Sequence, residues 1–153
     1  MRSQAQDPSH QPVAQCTEAT SRPRTALVID DTACHRVAAT LILKQIGFDV
    51  QEAIDGVQGL QMMTDNTFDV VVCDYEMPNM NGFQCVERLR HWEEADRPPR
   101  QRQHVVCFTA TPGIEAQGLQ AGMDRVVAKP YSVHKLEKAL EQALQDRSMQ
   151  LAA

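Results

Sequence analysis

A chain of 153 residues, 42% of them hydrophobic and 23% charged, has the composition of one globular domain and is too short for two. Its formal net charge of −5 leaves no basic excess to neutralise phosphates, so direct nucleic-acid binding is not expected. No apolar run approaches the roughly 18 residues that span a bilayer, and the N-terminus lacks the charged-then-apolar layout of a secretory signal; a soluble, cytoplasmic protein without membrane insertion is expected.

Residues 1–23 are rich in Gln, Ser, Thr and Pro, with Val13 as their only sizeable aliphatic side chain. Such a segment cannot offset its ordering entropy and reads as a flexible tail. The folded domain is expected over 24–146, followed by a frayed end at 147–153. Residues 25–29 form a β-rich run ending in Asp30-Asp31. Thr32 can cap the next helix, where Val37, Leu41, Ile42 and Ile46 fall on one face, and Gly47 stops it. A weak strand follows at 49–53, then a helix after Gly56 that uses Val57, Leu60 and Met63. Residues 69–74 give the strongest strand, apolar on both faces like a central parallel strand. A helix through Cys85, Val86 and Leu89 spans 82–92. The polar stretch 93–103, with Pro98-Pro99, reads as a solvated loop carrying Arg97, Arg100 and Arg102. Strands follow at 104–109 and 125–128, and a last helix from Ser132 buries Val133, Leu136, Leu140 and Leu144. Met62, Met63 and Met77 read as packing residues, and Trp92 as a cover for the end of the third helix.

Five strands alternating with five helices imply an α/β fold: a doubly wound, five-stranded parallel sheet in the order 2-1-3-4-5. The five cysteines, Cys16, Cys34, Cys73, Cys85 and Cys107, are scattered, and no CxxC spacing occurs. Reduced thiols are expected.

In such a sheet ligands bind outside the carboxyl ends of the strands, where strand order reverses. Strand 1 ends in Asp30-Asp31, strand 3 in Asp74, strand 4 in Thr109 and strand 5 in Lys129. Three carboxylates crowded together repel one another unless a cation compensates, and hard oxygen ligands suit Mg²⁺. Each acid alone reads as a turn former, Thr109 as a strand-end residue and Lys129 as a surface lysine. Their joint placement points to a carboxylate nucleophile for phosphoryl transfer, with donors and cations around it.

The segments Leu27-Val28-Ile29-Asp30-Asp31, Asp74-Tyr75-Glu76-Met77-Pro78-Asn79-Met80-Asn81-Gly82, Thr109-Ala110 and Lys129-Pro130 resemble the response-regulator receiver family of two-component signalling. The resemblance runs from about Arg24 to Asp146 in the family's order. It implies a flavodoxin-like receiver fold and a phosphorelay switch in which Asp74 accepts a phosphoryl group from a histidine kinase or a histidine phosphotransfer protein. It also implies that Mg²⁺ is held by Asp31, Asp74 and the main-chain carbonyl of Glu76, with Asp30 close behind. Thr109 and Lys129 would contact the phosphoryl oxygens, and the Lys129–Pro130 bond is often cis in such domains. The chain would catalyse only its own phosphorylation and dephosphorylation, and no output domain is expected.

Three features depart from that pattern, one of them the added polar loop at 93–103. Val126 stands where the family places Tyr or Phe, so coupling to the surface is expected to rest on Thr109 and its loop or to be weaker. Pro112, Gly113 and Gly118 leave room for a fourth helix shortened by about half a turn, and dimerisation through that face is not expected. Glu76 sits where the family tunes phosphoryl lifetime. His35, His91 and His134 fall on helices without partner spacing. A pseudo-receiver binding module, a phosphate sink and the terminal receiver of a hybrid histidine kinase are alternative settings. A dehalogenase-type phosphatase wants Asp at the Glu76 position, and an FMN carrier wants a Ser/Thr-rich phosphate loop after strand 1.

Overall fold

The computed structural model describes residues 22–129 and 132–152. Ten elements alternate along the chain: β1 (Arg24–Ile29), α1 (Ala33–Gln45), β2 (Phe48–Ala53), α2 (Gly56–Asp65), β3 (Val70–Asp74), α3 (Gly82–Ala95), β4 (Val105–Thr109), α4 (Glu115–Ala121), β5 (Arg125–Ala128) and α5 (Val133–Leu151). The strands form one parallel sheet in the order β2-β1-β3-β4-β5, as expected.

Side chains alternate across each strand, so the sheet feeds two cores. Leu27, Ile29, Val71, Cys73, Val105 and Cys107 face α2, α3 and α4, where Met63, Cys85, Val86, Leu89 and Ala121 meet them. Ala26, Val28, Val70, Val72, Val106 and Phe108 face α1 and α5, against Ala39, Ile42, Leu43, Leu136, Leu140 and Ala143. β3 is buried at every residue, which is why its sequence shows no alternation. Among the described residues no helix is long and apolar enough to cross a membrane.

Several local expectations change. Val37 and Leu41 do not face the core: they are 50% and 62% exposed, because α1 turns Ala39, Ile42 and Leu43 to the sheet instead. Val57 and Val133 are exposed too, each in the first turn of a helix whose later residues reach the core. Thr32 occupies the N-cap of α1 with extended backbone, yet its side chain makes no cap bond. Gly47 ends that helix at φ +96°, a conformation that costs glycine little.

The polar stretch 93–103 is not wholly solvated. α3 continues through Ala95, and both ends of the stretch are buried by hydrogen bonds. Gln103 Nε2 donates to the Met63 carbonyl at 2.8 Å, its Oε1 accepts from Phe68 N at 3.0 Å, and its own N–H donates to Glu93 Oε1 at 2.8 Å. Arg90 completes the knot, donating to Glu93 Oε2 and to the Gln103 carbonyl, each at 2.8 Å. Arg97, Arg100 and Arg102 are exposed; Arg100 lies 4.2 Å over the Trp92 ring.

α4 is short, at seven residues, and Gly122 closes it at φ +106°. A Cβ on Gly118 would stand 2.4 Å from Val126 Cγ2, so Val126 occupies the space that this glycine leaves. α5 runs to Leu151, and near its end Arg147 Nη1 donates to Asp69 Oδ1 at 2.5 Å and Ser148 Oγ donates to the Leu144 carbonyl at 3.0 Å. Cys73, Cys85 and Cys107 are buried free thiols and Cys34 is an exposed one. Cys16, nearly all of the N-terminal tail and the Pro130 side of the Lys129–Pro130 bond lie outside the described residues.

Candidate functional site

Because strand order reverses between β1 and β3, the loops after them part to opposite faces and leave a crevice at their carboxyl ends. Asp30 follows β1 and Asp74 ends β3. Both are buried, at 0% and 4% exposure, while Asp31 is exposed. Carboxylate oxygens of Asp30, Asp31 and Asp74 lie within 4.8 Å of one another. Asp30 is fixed in place: its Oδ1 accepts from Thr32 N at 2.9 Å, and its carbonyl accepts from Arg36 Nη1 at 2.8 Å.

Lys129, directly after β5, reaches across the sheet ends. Its Nζ lies 3.2 Å from Asp74 Oδ1 and 3.3 Å from Asp30 Oδ2, with the side chain only 10% exposed. Burial pushes the Asp74 carboxyl above its ordinary range, and the Asp30 charge adds to this; Lys129 opposes both. The site thus carries more negative charge than one lysine offsets.

Thr109 is buried at the end of β4, one residue beyond Phe108, the register partner of Asp74. Its carbonyl accepts from Lys129 N at 2.8 Å, which ties the residue after β5 to the end of β4. Its Oγ1 accepts from Thr111 N at 3.0 Å, which orders the start of the β4–α4 loop. The exposed Glu76 side chain accepts a hydrogen bond from Thr111 Oγ1, so the loops after β3 and β4 are linked across the mouth of the crevice.

The loop after Asp74 is held tightly from below. Asn81 caps α3 in a reciprocal box with Gln84, and Gly82 N donates to the Tyr75 carbonyl at 2.9 Å. A Cβ on Gly82 would stand 2.3 Å from the Asp74 carbonyl oxygen, so only glycine allows α3 to start so close to the Asp74 backbone.

The structure therefore brings Asp30, Asp31, Asp74, Thr109 and Lys129 to one end of the sheet, with Glu76 at its rim. It also adds a residue that spacing did not single out. His35, in the first turn of α1, places Nδ1 3.0 Å from Lys129 Nζ and 3.7 Å from Asp30 Oδ2. Its position five residues after Asp30, on a helix starting at the crevice, was the available signal. An all-oxygen donor set with two buried carboxylates suits a hard divalent cation.

Comparison with known proteins agrees with this geometry. Residues 26–141 match the response regulator receiver domain. The chain is 32% identical over 118 residues to the chemotaxis protein CheY-3 of Vibrio cholerae, covering 75% of this chain and 87% of that one. It is 31% identical over 120 residues to the sensor protein EvgS of Escherichia coli, covering 76% of this chain but 9% of EvgS. Among solved structures, the chemotaxis response regulator CheY4 of Vibrio cholerae superposes with a TM-score of 0.72 at 25% identity, over 80% of this chain and 100% of that chain. A CheY-like receiver from Methanospirillum hungatei superposes at 0.73 with 20% identity, over 84% of this chain and 99% of its own, a likeness of fold. With the strand order, the acidic crevice and the sequence match in agreement, the chain belongs to the response regulator receiver domain family of two-component signalling.

Proposed function

We propose that this domain is a phosphorylation switch in which Asp74 accepts a phosphoryl group from the phosphohistidine of a histidine kinase or histidine phosphotransfer protein. The observation that carries this reading is the Lys129 ammonium 3.2 Å from Asp74 Oδ1, inside a cluster of three acids at the strand ends. A carboxylate oxygen of Asp74 forms the new P–O bond as the P–N bond to the donor imidazole breaks, and the donor nitrogen keeps the bonding pair. Lys129 and the Thr109 hydroxyl are the donors for the phosphoryl oxygens, whose charge must be met by groups already in place.

Asp31, Asp74 and the main-chain carbonyl of Glu76 would hold Mg²⁺, with Asp30 behind them. Bound there, the ion would neutralise charge on the transferring oxygens and relieve the repulsion among the acids. Val37 and Leu41 on α1, Ile54 before α2 and Val57 in its first turn are exposed apolar side chains offered to a phosphohistidine-bearing partner. The functional unit is residues 24–146. The link between Thr111 and Glu76 supports a switch read out through the β4–α4 loop, since Val126 supplies no aromatic ring to reorient.

Intact-mass spectrometry after incubation with acetyl phosphate tests this. Wild type should gain one phosphoryl group with Mg²⁺ and none with EDTA, and Asp74→Asn should gain none. Equal adducts on both proteins, or none on the wild type, refute the reading.

A further inference from the structure

We infer that His35 is a positioning residue for phosphoryl acceptance: it holds the Lys129 ammonium between Asp30 and Asp74. This rests on the reading of Asp74 as the acceptor. Lys129 has three N–H donors and no acceptor. The acceptors around Nζ include His35 Nδ1 at 3.0 Å, Asp74 Oδ1 at 3.2 Å and Asp30 Oδ2 at 3.3 Å. Because an ammonium only donates, Nδ1 is the acceptor in this contact. Nδ1 is 3.7 Å from Asp30 Oδ2, beyond hydrogen-bond reach, so the imidazole acts on the lysine rather than on the acid.

The arrangement has a physical purpose. A lysine side chain has several rotatable bonds, and its charge serves phosphoryl transfer only if it is already in place when the phosphoryl group arrives. Two carboxylates at the ends of different strands each draw the ammonium toward themselves. A third acceptor on a different element, the first turn of α1, fixes its direction without adding negative charge to a crevice already rich in it. A carboxylate at position 35 would compete for the same ammonium with a fourth charge; an imidazole does not.

The test compares wild type, His35→Leu and His35→Asn in the full chain, with acetyl phosphate as donor so that no partner surface is involved. Leu has similar bulk and no acceptor. Asn carries an oxygen two bonds from Cβ, as far out as Nδ1. At saturating Mg²⁺, His35→Leu should form the Asp74 adduct about tenfold more slowly, equivalent to about 1.4 kcal/mol. His35→Asn should recover to within about threefold of wild type. Mg²⁺ affinity and melting temperature should be the same in all three, because the His35 side chain is 40% exposed and is not one of the proposed metal ligands. An unchanged rate in His35→Leu, or an equally slow His35→Asn, overturns the inference while leaving Asp74 as acceptor. Absence of an adduct on the wild type overturns both.

Discussion

Neutralising Asp74 should make the metal-free protein more stable. With their oxygens within 4.8 Å of each other and an effective dielectric constant of about 20, the Asp30 and Asp74 charges repel by at least about 3.5 kcal/mol. Lys129, 3.2 Å from Asp74, returns about 5 kcal/mol at the same dielectric, but it is shared with Asp30 at 3.3 Å. These charge effects largely offset, and burial then decides the sign, in keeping with the raised pKa of the Asp74 carboxyl. A carboxyl whose pKa is higher folded than unfolded is more costly to ionise in the native state. The penalty is absent below the ordinary carboxylate range, near about pH 4, and complete above the folded pKa. Asp74→Asn should therefore gain about 1 kcal/mol in EDTA at pH 7, roughly 3–5 °C in Tm. The gain should vanish as pH falls below about 4. Thermal melts with EDTA and with Mg²⁺ check this: Mg²⁺ should raise the Tm of the wild type and leave that of the variant nearly unmoved. A variant that melts below wild type in EDTA at pH 7 would refute the electrostatic reasoning.

Two further outcomes follow from residues away from the crevice. Asp69 is nearly buried, accepts from Thr25 N at 2.9 Å, and pairs with Arg147 at 2.5 Å and Arg22 at 2.9 Å. Burial raises its pKa, but the Thr25 bond and the two guanidinium groups outweigh this and hold it below the usual range. Its stabilisation is thus present above about pH 4 and lost as pH falls through the folded pKa. Asp69→Asn should cost about 2 kcal/mol in urea unfolding at pH 7, and that cost should shrink steadily as pH falls below about 4; a difference that stays constant as the pH is lowered would refute the ion-pair account. Gln103→Leu strands the Met63 carbonyl and the Phe68 N–H in the core, so it should cost about 2–3 kcal/mol by the same assay, and a loss below about 0.5 kcal/mol would show the knot to be dispensable.

The architecture was legible in the chain because its signals are local and strong. A run such as Val70-Val71-Val72-Cys73 between Asp69 and Asp74 has one stable place, the centre of a parallel sheet, and right-handed crossovers leave few ways to wind the rest. The acids, Thr109 and Lys129 were legible for a related reason: each ends a strand, and in this fold all strand ends point the same way. Periodicity failed where two helix faces are comparably apolar. Val37 and Leu41 satisfy a helical stripe as well as Ala39 and Leu43 do, and only packing against Val28 and Val72 selects the second.

By itself, then, the sequence determined the sheet order and which residues gather at its carboxyl end, since both follow from hydrophobic pattern and connection rules. Tertiary structure alone decided three things: the His35 contact with Lys129, the Glu76 link to Thr111, and the burial of Gln103 and Glu93. Each joins residues far apart in the chain through side-chain directions within about 3 Å, the range over which hydrogen bonds form. No local pattern encodes such a meeting, because it depends on where two separately placed elements come to rest.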